Sequence, residues 1–337
     1  SGRTPLAPRA WMERPNVRVV QTGMSNRMLW LSTRVTKRPW LDHVVDGADV
    51  FFFPHFLVGA LSPSCRRVMA WHDLSYERMP QLLSPYRRMW HAFQMRPRRQ
   101  AQAADHIIAV SSSTASDLED LYGIAREKIS VVPSGIDPTL RRASYSDIQR
   151  WRVMRGIAEP FVLAMGTREP RKNLPALIMA WDRARRQSAF QDVHLVLAGE
   201  SGWMEQDIHR AIASTRAPRD VHMLGGVDPS ERSLLLSAAS ILAYPSLMEG
   251  FGFPPLEAMA CGTPVVASAT SSVIGTVGDA GLLVDPYRVE GIATALLALH
   301  TDEALRVRLI ARGYERARSY TWERAASATL EGILSVL

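Results

Sequence analysis

Residues 241–268, ILAYPSLMEGFGFPPLEAMACGTPVVAS, leave little choice of fold. The apolar run at 241–244 is short and stopped by Pro245 and Ser246, the pattern of a strand buried on both faces. Glu249, Gly250, Phe251, Gly252 and Phe253 follow as a turn in which glycine lets the backbone take φ > 0 or approach a ligand closely. Pro254 and Pro255 suit a first helical turn, where a missing N–H costs nothing. Residues 256–261 then read as a short helix stopped by Gly262, and 263–267 as the next buried strand. Such a unit aims the free N–H groups of a helix start at the carboxyl end of a strand, a place that favours an anion such as phosphate.

The same alternation runs along the chain. Strands are expected at 16–21 (NVRVVQ), 49–53, 67–71, 105–110 and 129–132, and again at 161–165, 193–198, 221–224, 241–244 and 263–267. Helical stretches separate most of them, including one capped by Ser111–Thr114 and running through Tyr122, and others at 230–239, 288–299 and 302–319. This pattern predicts an α/β protein with parallel sheets covered on both faces. A length of 337 residues exceeds one usual core, so two domains are expected, with the charged, strand-poor stretch 138–159 as the linker. Ligands then gather at strand ends. His72 stands at one such end; Gly166, Thr167, Arg171 and Lys172 stand at another, where the cations are placed to neutralise a diphosphate. Gly199 exits the strand at 193–198.

Glu249 lies on the turn and Glu257 two helical turns further on, too far apart for a close pair through helical spacing. Carboxylates accept from vicinal hydroxyls, so the two suit different parts of one long ligand, a ribose and a hexose. Alone, either glutamate also fits a solvated turn or a local cap.

Together, Glu249-x7-Glu257 within FGFPPLEAMACGTPVVAS, the HDLS segment at His72 and GTREPRKNL at 166–174 closely resemble the retaining GT-B glycosyltransferases of family 4, glycosyl transferases group 1, mannosyltransferase-like members included. The resemblance runs from Asn16 to the end and implies two Rossmann-like domains facing across a cleft. These are an acceptor-binding domain at 1–145, a nucleotide-sugar-binding domain at 146–319, and a C-terminal helix at 320–337 that crosses back to the first. It implies His72 beside the donor sugar, Lys172 and Arg171 on the donor phosphates, catalysis by His72, Arg171, Lys172 and Glu249, and donor contacts from Gly166, Thr167, Gly199, Gly250, Phe251, Gly252 and Glu257. Family members begin with a strand and a glycine-rich loop before anything like NVRVVQ, so that segment is expected to be absent from this first domain. A proline-glutamate pair usual before VGDAG is replaced by Ile274-Gly275.

The implied reaction moves a hexose, mannose from GDP-mannose first and a UDP-hexose next, onto a glycan or lipid-linked acceptor in surface polysaccharide synthesis. Front-face attack gives retention, and neither cofactor nor metal is expected. Three rivals stay open: a hydrolase using Glu249 and Glu257 as acid and base, a non-catalytic nucleotide-sugar-binding protein and, behind them, a nucleotide-sugar epimerase of the same two-domain plan. Net charge is +7, with only Lys37, Lys128 and Lys172 among 40 basic residues, which admits a phosphorylated ligand or an anionic membrane surface. No helix-turn-helix, zinc-finger or aromatic-basic RNA pattern is present, so nucleic acid is not expected as partner. Cys65 and Cys261 make neither a disulfide framework nor a zinc site, and no apolar run reaches membrane-span length. With no signal-peptide pattern in the first twenty residues, a cytoplasmic protein at the inner membrane face is the expectation. The basic segment 85–100 with Trp90, Phe93 and Met95 reads either as a peripheral membrane contact or as a helix packed on its own sheet with its arginines in water.

Overall fold

The computed structural model describes residues 9–56 and 59–337. Residues 1–8 and 57–58, which open the first expected domain and interrupt it once, lie outside the described residues.

Two parallel sheets carry the architecture. In the first lobe β1 (Val50–Phe53), β2 (Arg66–Trp71), β3 (His106–Ala109) and β4 (Ile129–Val131) pair in that order. In the second, β5 (Phe161–Met165), β6 (His194–Ala198), β7 (Val221–Leu224), β8 (Ile241–Tyr244), β9 (Val265–Ser268) and β10 (Leu282–Val284) pair in the order β10-β9-β8-β5-β6-β7. The order reverses between β5 and its two neighbours, β6 and β8, and a crevice opens where loops leave in opposite directions. Residues β3, β8 and β9 are buried throughout, as strands covered on both faces must be. These are the two Rossmann-like lobes of a GT-B fold.

The C-terminal crossing is plain. Thr321 caps the helix Trp322–Leu334 by accepting from Arg324 N, and Ala325 packs on Val68, Ala70, Ile108 and Val132 of the first sheet. A Cβ at Gly332 would stand 2.6 Å from the Ile108 side chain, so glycine sets how closely this helix lies on β3.

Three expectations are corrected. Residues 16–21 form no strand: Val19 and Val20 are exposed, and among the described residues the sheet edge is β1. The stretch 138–159 is not all linker, because the helix Tyr145–Arg155 lies within it and buries Ile148 and Trp151 in the second lobe's core. Finally, the helix read at 256–261 runs Phe253–Ala260, so both prolines sit inside its first turn, after Gly252 at φ +101°. The Ile274-Gly275 departure leaves the helix Ser271–Val277 intact, with Ile274 exposed and open space where a Gly275 side chain would stand.

Candidate active site

The carboxyl ends of β5 and β6 are pressed together by two glycines. Gly166 (φ +140°) and Gly199 (φ +145°) both need a conformation that side chains disfavour, and a Cβ on Gly199 would stand 2.0 Å from the Gly166 carbonyl oxygen. These turns floor a cavity of about 580 Å³, with Gly166, Thr167 and Gly199 on one side and Phe253, Pro254 and Glu257 at the helix start on the other. Glu257 is buried and accepts from Arg232 Nη1 at 2.9 Å. Burial pushes its carboxyl pKa up, against the opposing pull of Arg232.

Beside this cavity β8 delivers Tyr244 and the turn that follows it. Lys172 Nζ donates to Glu249 Oε1 at 2.6 Å and to the Tyr244 hydroxyl at 2.9 Å. The Arg171 guanidinium joins Glu249 to Glu169, and also donates to the Met248 carbonyl at 2.8 Å. Both carboxylates are buried. Burial pushes the Glu249 pKa up, but Lys172 and Arg171 outweigh it and hold the carboxyl at about 2. The helix Ser271–Val277 pins the same turn: Ser271 Oγ accepts from Glu249 N at 2.9 Å, and Ser272 Oγ donates to the Glu249 carbonyl at 2.8 Å. Arg171, Lys172 and Glu249 are therefore one rigid unit. With Glu169 its formal charge is zero, and it offers a ligand fixed N–H directions rather than excess charge.

The first lobe brings His72 to this turn. A Cβ at Gly250 would stand 1.9 Å from the His72 carbonyl oxygen, so the lobes meet backbone to backbone here. His72 Nε2 lies 2.9 Å from the Pro54 carbonyl oxygen, which can only accept. Nε2 therefore carries a hydrogen, and Nδ1 is the nitrogen that this contact leaves open. Asp73 orders the loop, its Oδ1 accepting from Ser75 N at 2.9 Å and Ser75 Oγ at 2.7 Å. A second cavity of about 240 Å³ lies between the lobes, lined by His55, His72 and His91 of the first and Glu169, Arg171 and Trp203 of the second.

The arrangement separates the expected residues. His72 and Arg171 line the interlobe cavity, with Glu249 tying Arg171 to Lys172 and Gly250 set against the His72 carbonyl, whereas Gly166, Thr167, Gly199 and Glu257 line the larger one. Phe251 is buried, its carbonyl accepting from Thr276 Oγ1, and Gly252 supplies the turn. An acid–base pair for hydrolysis is not what the two glutamates make. Glu249 is held ionised by two cations and cannot donate a proton near neutrality, and Glu257 faces the other cavity. Reading the sequence missed Glu169, Tyr244 and Arg232, although Glu169 stands two places before Arg171. Among the described residues no group of three or more His, Cys, Asp or Glu could hold a metal ion, and Cys65 and Cys261 are buried free thiols. No described helix is long and apolar enough to cross a membrane.

The family model for glycosyl transferases group 1 matches residues 147–316, half of the 337-residue chain. The chain belongs to this family. The model for glycosyltransferase family 4 matches residues 3–140 of this group 1 glycosyltransferase as well. It is 29% identical over 297 residues to the O-antigen chain mannosyltransferase B of Escherichia coli, covering 87% of this chain and 74% of that protein. It is 36% identical over 241 residues to the D-inositol 3-phosphate glycosyltransferase of Kribbella flavida, where the match covers 68% of this chain but only 56% of the relative. Among solved structures, the sucrose-phosphate synthase of Thermosynechococcus elongatus superposes with a TM-score of 0.73 at 23% identity, covering 96% of this chain and 80% of that one, which shows the shared fold.

The Glu249 pKa carries a prediction for this glycosyltransferase. A carboxyl lowered from 4.5 to about 2 on folding contributes stability that is present above the unfolded value and lost as pH falls through the folded one. Glu249→Gln is expected to cost on the order of 3 kcal/mol at pH 7. The gap from the parent protein, followed by urea unfolding, is expected to narrow between about pH 5 and pH 2. A gap constant across that window would mean that the ion pairs contribute nothing.

Proposed function

We propose that this glycosyltransferase moves a hexose from a nucleotide diphosphate sugar to a glycan or lipid-linked acceptor, with retention at the anomeric carbon, and that mannose from GDP-mannose is its donor. The observation that carries the reading is the Lys172–Glu249–Arg171 unit standing between a groove at the strand ends and the imidazole of His72 across the cleft. The nucleotide would lie in the larger cavity with a ribose hydroxyl pair on Glu257, and the diphosphate at the Gly250 turn under Lys172 and Arg171. The bond from the anomeric carbon to the diphosphate breaks as the acceptor oxygen bonds to the same face of that carbon. The acceptor's proton passes to the leaving phosphate oxygen, and the cations take up the charge left there. Glu249 stays with its cations and takes no part as a nucleophile. Mannose is favoured by the name of the O-antigen relative, which also supports a place in surface polysaccharide synthesis.

Thermal-shift titrations with GDP-mannose, UDP-glucose and dTDP-rhamnose test the donor, and NMR of the product tests the anomeric outcome. Stabilisation by GDP-mannose alone is expected. A shift with the UDP sugar alone would reassign the donor, and inversion would remove the front-face mechanism.

We also propose a peripheral membrane contact through the first lobe. Tyr86, Met89 and Phe93, spaced three and four apart, are all exposed, flanked by exposed Arg88, Arg96 and Arg99. The helix Asn26–Thr36 presents Met28, Leu31 and Val35 in the same spacing, and its Arg34 is near enough to lower the Arg96 pKa. The arginines of this segment do not act alike. Arg87 lies over the Trp203 ring and Arg98 donates to the Leu121 carbonyl, so neither is free for lipid. Replacing Arg88, Arg96 and Arg99 with glutamine is expected to cut binding to phosphatidylglycerol-containing vesicles by at least about tenfold, given roughly 1 kcal/mol per cation. Equal sedimentation of both proteins with those vesicles would remove the contact.

A further inference from the structure

The interlobe cavity is bridged by a side chain that the reaction scheme does not use. Trp203 belongs to the second lobe, on the turn after β6. That turn is fixed: Glu205 accepts from Gly202 N at 2.7 Å and from Arg168 Nε at 2.9 Å. A Cβ on Gly202 would stand 2.3 Å from the Arg168 carbonyl oxygen, so the turn presses on the loop after β5. From this base the indole crosses to the first lobe. Its Nε1 donates to the Leu82 carbonyl at 2.9 Å, and the Arg87 guanidinium lies 4.1 Å from the centre of its ring. Leu82, Arg87 and Trp203 all line the 240 Å³ interlobe cavity, whose inner wall is His72 and Arg171.

The lobes therefore touch at three levels. At the back the chain crosses twice, and Gly135 packs so tightly on Trp322 that a Cβ would stand 2.3 Å from its backbone nitrogen. In the middle Gly250 meets the His72 carbonyl, and the helix Ser271–Val277 packs on the helix Ser112–Tyr122. Beside the interlobe cavity stands Trp203. Lobes joined at chain crossings can rotate about them, and a side-chain contact that spans the cavity wall is one that such a rotation makes or breaks. A half-buried hydrogen bond and a cation–π contact are also each of a size that a modest motion can break.

We infer that Trp203 is a cross-lobe latch: it holds the lobes together through Leu82 and Arg87 and so sets the width of the cavity in which the acceptor is positioned. The latch stands on the contacts alone, and only the identity of what fills the cavity rests on the transferase reading above. Trp203 is a positioning residue, since it acts through the spacing of the lobes. The larger cavity does not include it, so donor binding is not its task.

The test uses the full chain and two independent readouts. Small-angle X-ray scattering without ligand is expected to show a larger radius of gyration for Trp203→Ala and Arg87→Ala, with Trp203→Phe, which keeps the stacking and loses the N–H donor, in between. Arg87→Lys is expected to restore the compact form, and the Arg87 variants keep the test standing if Trp203→Ala does not fold. In turnover with the donor chosen by thermal shift and octyl α-mannoside as acceptor probe, Trp203→Ala is expected to raise the acceptor KM about tenfold while Kd for GDP or UDP stays within about twofold. Scattering curves identical to that of the parent protein overturn the latch whatever the turnover shows. An expanded variant in a protein that transfers no sugar leaves the latch standing and removes the transferase reading instead.

Discussion

Lys172→Ala is expected to lower turnover by about 10²–10³-fold, the cost of removing one preorganised donor from a developing oxyanion. The size follows from how the ammonium is held. Glu249 and Tyr244 fix Nζ from two sides, and the side chain lies over Gly166, where a Cβ would stand only 3.0 Å from Lys172 Cε. In the proposed placement such a group needs no reorganisation when the diphosphate gains charge, so its stabilisation is expected in the transition state more than in the bound ground state. Calorimetry is accordingly expected to show nucleotide-sugar affinity falling far less than kcat. Arginine at 172 is expected to restore little, because a planar fork cannot replace a compact ammonium in the space above Gly166. The fold is expected to survive, since Arg171 remains on Glu249. Turnover near that of the parent protein, with Tm unchanged, would take Lys172 out of the chemistry.

The strands that the sequence revealed are those whose burial leaves no alternative. Runs such as HIIA at β3 and ILAY at β8 are buried on both faces, almost wholly apolar and bounded by turn residues, so composition identifies them. NVRVVQ has strand-like residues but no neighbour to pair with, and pairing is a property of the fold. The strand β10 and the helix Tyr145–Arg155 escaped for the opposite reason. One has three half-buried residues, and the other hides two core anchors among charges. At the site, individual residue types were legible and their partnerships were not. Lys172 and Glu249 lie 77 positions apart and meet because β5 and β8 are neighbours, an order no local pattern encodes. Arg232 and Glu257 are 25 apart, on successive helices, and Trp203 finds Leu82 across 121 residues. Spacing within a motif thus predicts which groups face a crevice, while the strand order decides which of them pair.

The same distinction makes two glycines of one turn behave differently. At Gly252 φ is +101° and the nearest atom to a Cβ would be 3.7 Å away, so alanine there meets strain but no obstacle. Gly252→Ala is expected to cost about 1–2 kcal/mol of stability, a local backbone penalty. Gly250 needs no positive φ, yet its Cβ would stand 1.9 Å from the His72 carbonyl oxygen and 2.9 Å from Asp73 Cβ. Both obstacles belong to the other lobe, and the closer one is backbone, so neither can swing aside. Gly250→Ala must therefore push His72 away from the Lys172–Glu249 unit. With His72 at the reacting centre, as proposed, a displacement of about 1 Å is worth on the order of 10²-fold in rate; that loss is expected in kcat/KM, with a Tm drop at least as large as that of Gly252→Ala because the obstacle is backbone. Serine at 250 is expected to behave like alanine, because the obstacle is met at Cβ. If the alanine variants reversed this order, with Gly252→Ala inactive and Gly250→Ala normal, the lobes would not be meeting at this turn during catalysis.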